Sequence, residues 1–239
     1  MRVGFVGTVA KDPRDPASNE DAYKISVDSN LIVVSDGASE SFDSRTWAHE
    51  IVSSLDCIGR FSNDWLTKAV ATYQSRFDRS KFGWAKESAF ERGSFATILA
   101  AEFDVTDATL ALLAVGDSVA FVLEDGELRV SFPYISSAEF DNRPLLLSTM
   151  QFHNTEVQEV NFLAEHTAKL KISSSCVVLL MTDALARWVL ECRENNDDAW
   201  RALLTTTDDH EFAELVLQAR RQRTIRLDDV TFVRASIEP

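Results

Sequence analysis

Two segments of this chain are apolar without alternation, and both stop at an aspartate. The run LIVVS (31–35) empties into Asp36-Gly37, and CVVLLM (176–181) leads through Thr182 into Asp183. A strand with one wet face alternates apolar and polar residues, whereas a run without alternation is covered on both faces. Such strands need a layer above and a layer below, which restricts the fold to stacked sheets and helices. Segments 3–9 and 21–28 read as further strands, as do 94–103, 109–123, 168–172 and 229–237. Asp125-Gly126 is a hairpin signal that leads into 127–132. Between 44 and 92 the period changes. Trp47, Ile51 and Leu55, then Trp65, Val70, Tyr73 and Phe77, recur at helical spacing, which predicts two helices, the second capped by Ser62-Asn63-Asp64. Helices also fit 184–194, 197–205 and 210–222, while 133–165, punctuated by Pro133, Asp141-Asn142 and Pro144, gives no clear pattern. Runs of strands set apart from runs of helices predict an α+β architecture, two antiparallel sheets between helix layers. One domain over 1–239 accounts for the whole length.

Composition narrows the partners. Hydrophobic residues make up 45%, enough to fill a core, and Gly (8) and Pro (5) are too scarce for long linkers. The net charge of −14 should repel nucleic acid and anionic membranes. Cys57, Cys176 and Cys192 are too few and too scattered for a disulfide framework or a zinc site. Reduced thiols of a cytoplasmic protein are the plain reading. The N-terminus MRVGFVGTVAKDP lacks the apolar run of a signal peptide, and no stretch approaches the ~18 apolar residues of a membrane helix. The expectation is a soluble, cytoplasmic monomer.

The strand-to-aspartate pattern recurs. LAVGDS sets Asp117 beside an apolar run, Asp228-Asp229 precede VTFV, and Asn19-Glu20-Asp21 precede an early strand. A single aspartate there ordinarily caps or turns the chain. Five such clusters point to carboxylates meeting in one cleft, where they repel one another unless a cation lies between them. Oxygen ligands without Cys or His select Mg²⁺ or Mn²⁺, or Ca²⁺. Two such ions, about 4 Å apart, polarise phosphoryl oxygens and lower the pKa of water.

The ordered series N-E-D (19–21), S-D-G (35–37), G-S-F-A-T (93–97), G-D-S (116–118), T-D-A (182–184) and D-D-V-T (228–231) resembles the metal-dependent protein phosphatases, the PPM or type 2C family. Each tripeptide alone is weak; the ordered set spans about residues 3–237. The resemblance implies a four-layer αββα sandwich and hydrolysis of phosphoserine or phosphothreonine by a metal-activated water, with no covalent enzyme intermediate. It implies Mn²⁺ or Mg²⁺, two ions with provision for a third. Asp36 would bridge the two and Gly37 would offer its carbonyl oxygen. Glu20 and Asp21 would hold metal directly or through water, Asp183 and Asp228 would complete the first site, and Asp117 would serve the third, weaker one. Asp229 replaces the family's Asn and reads as a turn or supporting group. Gly93, Ser94 and Thr97 read as a tightly packed core strand. The implied partners are a phosphorylated protein substrate and a cognate Ser/Thr kinase.

The chain departs from the family where substrate is recognised. Pro16 stands where the phosphate-binding Arg is usual, and Arg14, in the loop KDPRDPAS, is the nearest candidate. Val119 replaces an Arg, Ala184 replaces a Gly, and D-G-A-S-E replaces D-G-M-G-G. These departures leave open a catalytically weak or inactive regulatory module, or a phosphatase for a small phosphorylated metabolite. His49, His153, His166 and His210 have no partner pattern. Arg220-Arg221-Gln222-Arg223, with Arg226, read as cations at a helix C-terminus, where the dipole favours them; steering an acidic phosphopeptide is the second reading.

Overall fold

The structure is a computed structural model describing residues 1–238. The chain opens with strands β1 (Arg2–Val9), β2 (Ala22–Ser26) and β3 (Leu31–Ser35), then helices α1 (Ser44–Ser54), α2 (Asn63–Ser75) and α3 (Trp84–Arg92). Strands β4 (Phe95–Ala96), β5 (Ile98–Asp104), β6 (Thr109–Val115), β7 (Val119–Glu124) and β8 (Glu127–Phe132) follow. A long connection carries β9 (Leu147–Ser148) and the short helix α4 (Phe162–Glu165) to β10 (Thr167–Lys171) and β11 (Cys176–Met181). Helices α5 (Asp183–Glu194), α6 (Ala202–Thr205) and α7 (Asp209–Arg221) lead to β12 (Val230–Ile237).

One five-stranded sheet runs β1-β12-β11-β7-β8 and the other β10-β6-β5-β3-β2, with a small β4-β9 ladder beside them. Every strand pairing is antiparallel. The α+β, four-layer αββα sandwich is the observed architecture, and its three apolar interiors show the layering. Ile32 and Val34 of β3 meet Leu99, Val178, Leu180 and Val233 between the sheets, while Leu31 and Val33 face Trp47, Ile51 and Leu66 of the first helix layer. On the other side, Leu179 and Met181 of β11 pack with Leu185 and Val189 of α5 and Phe212 and Val216 of α7. Both faces of β3 and β11 are therefore covered, which is why their sequences do not alternate.

Local signals fix the helix starts. Asp43 accepts from the Thr46 backbone N–H to cap α1, Ser62 accepts from that of Trp65 to cap α2, and Asp208 does the same at α7. The β7–β8 hairpin turns at Asp125 and Gly126, both at positive φ (51° and 77°), as their residue types predict.

Four expectations needed correction. The 44–92 region holds three helices, not two; α3 buries only Phe90, so it carries almost no apolar periodicity. Segment 94–103 breaks at Thr97. Segment 109–123 is two strands in different sheets, with Gly116-Asp117-Ser118 as the crossing between them. Helix 197–205 is a 3₁₀ turn followed by the short α6. Among the described residues, no helix is long and apolar enough to cross a membrane.

Candidate metal centre

Strand ends of both sheets meet at one rim, and each delivers an aspartate there. Asp36 follows β3 and Asp21 precedes β2 in one sheet; Asp183 follows β11 and Asp228 precedes β12 in the other. Asp117 lies on the crossing that joins the two sheets. A buried hydroxyl network fixes this rim. Ser35 Oγ donates to the Thr97 carbonyl oxygen (2.6 Å), and the Asp36 N–H donates to Thr97 Oγ1 (2.9 Å). Thr97 Oγ1 in turn shares a hydrogen bond with Ser118 Oγ (2.9 Å), while the Thr97 N–H donates to the Asp36 carbonyl oxygen (2.8 Å). The break at Thr97 thus ties Asp36 to the residue next to Asp117.

Two glycines permit the close approach. A Cβ on Gly116, at φ +112°, would lie 2.5 Å from Thr97 Cγ2. A Cβ on Gly37 would lie 2.8 Å from the Glu20 carbonyl oxygen, so the S-D-G turn sits directly on the N-E-D loop. Asp229, nearly fully buried, clamps that loop: its carboxylate accepts from the backbone N–H of Lys11 (2.6 Å) and of Glu20 (2.8 Å). Thr182 Oγ1 donates to Asp21 Oδ2 (3.1 Å) and accepts from the Thr231 N–H (2.9 Å), joining β11 and β12 to the same loop.

The electrostatics follow from this crowding. Burial pushes the Asp36 carboxyl well above the usual carboxylate range, and Asp21, Asp183, Asp117 and Asp228 push it the same way. Burial also raises Asp21, with Asp229 and Asp183 adding to the rise and the Thr231 and Thr182 hydroxyls opposing it. Asp183 is pushed up to about 7, by burial first and then by Asp117 and Asp228, although its Oδ1 accepts from the Ala184 N–H (2.5 Å) at the start of α5. Asp117 is raised by burial, with Asp228 adding and Arg226 opposing.

Five aspartates therefore form one electrostatic unit. Glu20 is brought alongside by its backbone, while its Oε1 accepts from the Ser44 hydroxyl in the first turn of α1. Arg14 is not brought in: its side chain is 93% exposed and pairs with Asp12 (3.5 Å). The basic groups near the acids are others. Lys11 Nζ lies 3.6 Å from Asp228 Oδ1, and the field of Arg226 reaches Asp117 and Asp183. Sequence reasoning missed Lys11, and it read Thr97 as core packing only; a hydroxyl within a strand carries no sequence signal of a rim role.

The donor set is all oxygen, suited to Mg²⁺ or Mn²⁺ rather than to a softer metal. Asp21 Oδ1 and Thr231 Oγ1 are both buried with no partner at ordinary hydrogen-bond geometry, and a cation at Asp21 would satisfy the carboxylate oxygen. Among the described residues no three acidic, His or Cys side chains already stand in closed ligand geometry.

No family model and no curated protein sequence matches the chain. Solved structures do. The Mycobacterium tuberculosis serine/threonine phosphatase PstP/Ppp superposes with a TM-score of 0.63 at 19% identity, covering 100% of both chains. The photosystem II phosphatase PBCP matches with a TM-score of 0.58 at 15% identity over 98% of both chains. The catalytic domain of the serine threonine protein phosphatase PstP, in complex with two manganese ions, matches with a TM-score of 0.56 at 20% identity over 93% of both chains. The fold is shared with these phosphatases along nearly the whole length.

Proposed function

We propose that this chain, as one domain over 1–239, is a metal-dependent phosphatase of the type 2C kind acting on phosphoserine or phosphothreonine in proteins. One observation carries the reading: on a fold shared with such phosphatases, Asp36 lies half-buried among four other aspartates that all oppose its charge. An uncompensated cluster of this kind is costly, and a function that needs divalent cations explains its presence.

In this reading Asp36 and the Gly37 carbonyl oxygen would hold the divalent ions. Asp21 and Glu20 would hold metal directly or through water, and Asp183 and Asp228 would complete the first site. Asp117 would serve a third, weaker position. Mn²⁺ or Mg²⁺ would neutralise the phosphoryl oxygens and supply an activated water. The chain's own contribution is placement. Asp229 and Thr182 hold the N-E-D loop, and Thr97 holds Asp36 and Ser118.

The phosphate enters a cleft of about 580 Å³ whose wall includes Asp228, Lys11 and Arg143, with Phe95 and Leu145 as apolar surface. Lys11 and Arg143 take the role that the sequence offered to Arg14, which stays in solvent with Asp12. A cytoplasmic location fits the three free cysteines, and a Ser/Thr kinase would supply the substrate. The test is p-nitrophenyl phosphate hydrolysis with Mn²⁺, with EDTA, and in Asp36→Asn. Turnover with Mn²⁺, abolished by chelation and reduced at least about a hundredfold in the variant, is expected. Equal rates under all three conditions would sink the proposal.

A further inference from the structure

A second concavity, of about 630 Å³, lies beside the acidic centre, between α5 and the loop from Gln222 to Asp228. Its wall carries Arg187, Arg220, Arg223 and Arg226 against the single acid Glu191. On a chain of net charge −14 this is a strong local reversal of sign. Two of these arginines are structural. Arg187 pairs with Glu191 (2.8 Å) and Asp141 (2.9 Å). Arg220 donates to the carbonyl oxygens of Ala10 (2.9 Å) and Asp228, tying α7 to the metal-centre loop. The side chains of Arg223 and Arg226 are exposed and form no ion pair or hydrogen bond among the described residues.

Arg223 also sits where an arginine is unfavourable. It follows the C-terminus of α7 at φ +62°, the left-handed position that helix ends usually give to glycine. Its N–H donates to the Arg220 carbonyl oxygen (3.0 Å) and the Thr224 N–H to that of Ala219 (3.0 Å), so the position is fixed. A bulky side chain kept at a position that favours glycine carries a conformational cost, which a use for its guanidinium would offset.

We infer that this basic concavity binds an acidic segment of the substrate polypeptide next to the phosphorylated residue, with Arg223 and Arg226 as the two contacts. This rests on the phosphatase reading for its purpose but not for its test. Ala184 and Leu227, each adjacent to an acid of the centre, line the same concavity, so a peptide with its phosphate at the rim can reach it. The surrounding negative field repels long polyanions, so the site selects a short acidic stretch.

The experiment uses the full chain in EDTA, so that nothing is turned over. Anisotropy of a fluorescein-labelled phosphoserine peptide with Glu on its flanks is compared with the same peptide carrying Gln. Wild type should bind the acidic peptide about tenfold more tightly, the sum of two charge-assisted contacts at a partly shielded surface, and the preference should shrink with salt. Arg223→Gly combined with Arg226→Gln should erase it. Glycine suits the left-handed position, so this variant folds and should melt no lower than wild type, which excludes unfolding as the cause. Equal binding of the two peptides, retention of the preference in the double variant, or displacement of the acidic peptide by equimolar inorganic phosphate would each overturn the inference. Failure of the phosphatase reading would show separately, as absent p-nitrophenyl phosphate hydrolysis with peptide binding intact.

Discussion

Asp36 shows the conflict between stability and function most sharply. The residue is half-buried, its carboxylate opposed by four like charges and its backbone held by Thr97. In the metal-free protein the charge is a liability. Asp36→Asn should therefore raise the melting temperature of the EDTA-treated chain, by about 2–8 °C for a relief of roughly 1–2 kcal/mol. Differential scanning calorimetry checks it, and a lower melting temperature would contradict the reading. Asp183 gives the pH dependence. Its folded pKa of about 7 lies far above the ordinary aspartate value, so the folded chain keeps a proton that the unfolded chain has lost. That contribution is complete below about pH 4 and disappears as pH rises through about 7. His49, lowered by burial, has the opposite slope below its usual range, so the comparison must isolate Asp183. The metal-free wild type should lose stability relative to Asp183→Asn between about pH 4.5 and 7 and level off above that, and a constant difference across about pH 4.5–7 would refute the assignment. Saturating Mn²⁺ should flatten the wild-type profile.

At the scale of elements, the strand ends matter more than the strands. The fully covered β3 and β11 were legible because both faces are buried, and the cap at Ser62 and the hairpin turn at Asp125-Gly126 behaved as their chemistry dictates. The break at Thr97 and the sheet crossing at Gly116-Asp117-Ser118 were not legible. Both are surrounded by apolar residues, and a change of sheet leaves no mark on periodicity. The exposed α3 was missed for the opposite reason, having too few buried positions to show a period. Of the site, the aspartates could be read from their strand-end positions. The basic partners could not, since Lys11 reaches Asp228 across 217 positions of sequence through a loop whose path only the fold defines. Thr97 tests the element account. Thr97→Val keeps the shape and leaves the Asp36 N–H and Ser118 hydroxyl without a partner, at a cost of about 1–3 kcal/mol. Thermal unfolding should fall by roughly 2–12 °C, and Mn²⁺ affinity should fall with it. An unchanged affinity would show that the hydroxyl network does not position Asp36.

At the scale of the molecule, the centre exists only where the two sheets meet. Asp21 and Asp36 come from one, Asp183 and Asp228 from the other, and the layer of Ile32, Leu99, Leu180 and Val233 sets their relative position. Leu180→Ala should cost about 2–5 kcal/mol and weaken Mn²⁺ binding, although no ligand is touched. Val216→Ala, on the buried face of α7 in the outer layer, should lower stability while disturbing Mn²⁺ binding less. Equal effects of the two on Mn²⁺ binding would contradict an inter-sheet origin of the site. The central claim, that the five aspartates form a divalent-cation centre, is tested most directly by calorimetric titration of Mn²⁺ into the metal-free chain. The account predicts binding of about two ions per chain in wild type and loss of that binding in Asp36→Asn. Absence of binding in wild type, or identical isotherms for the two proteins, would contradict it.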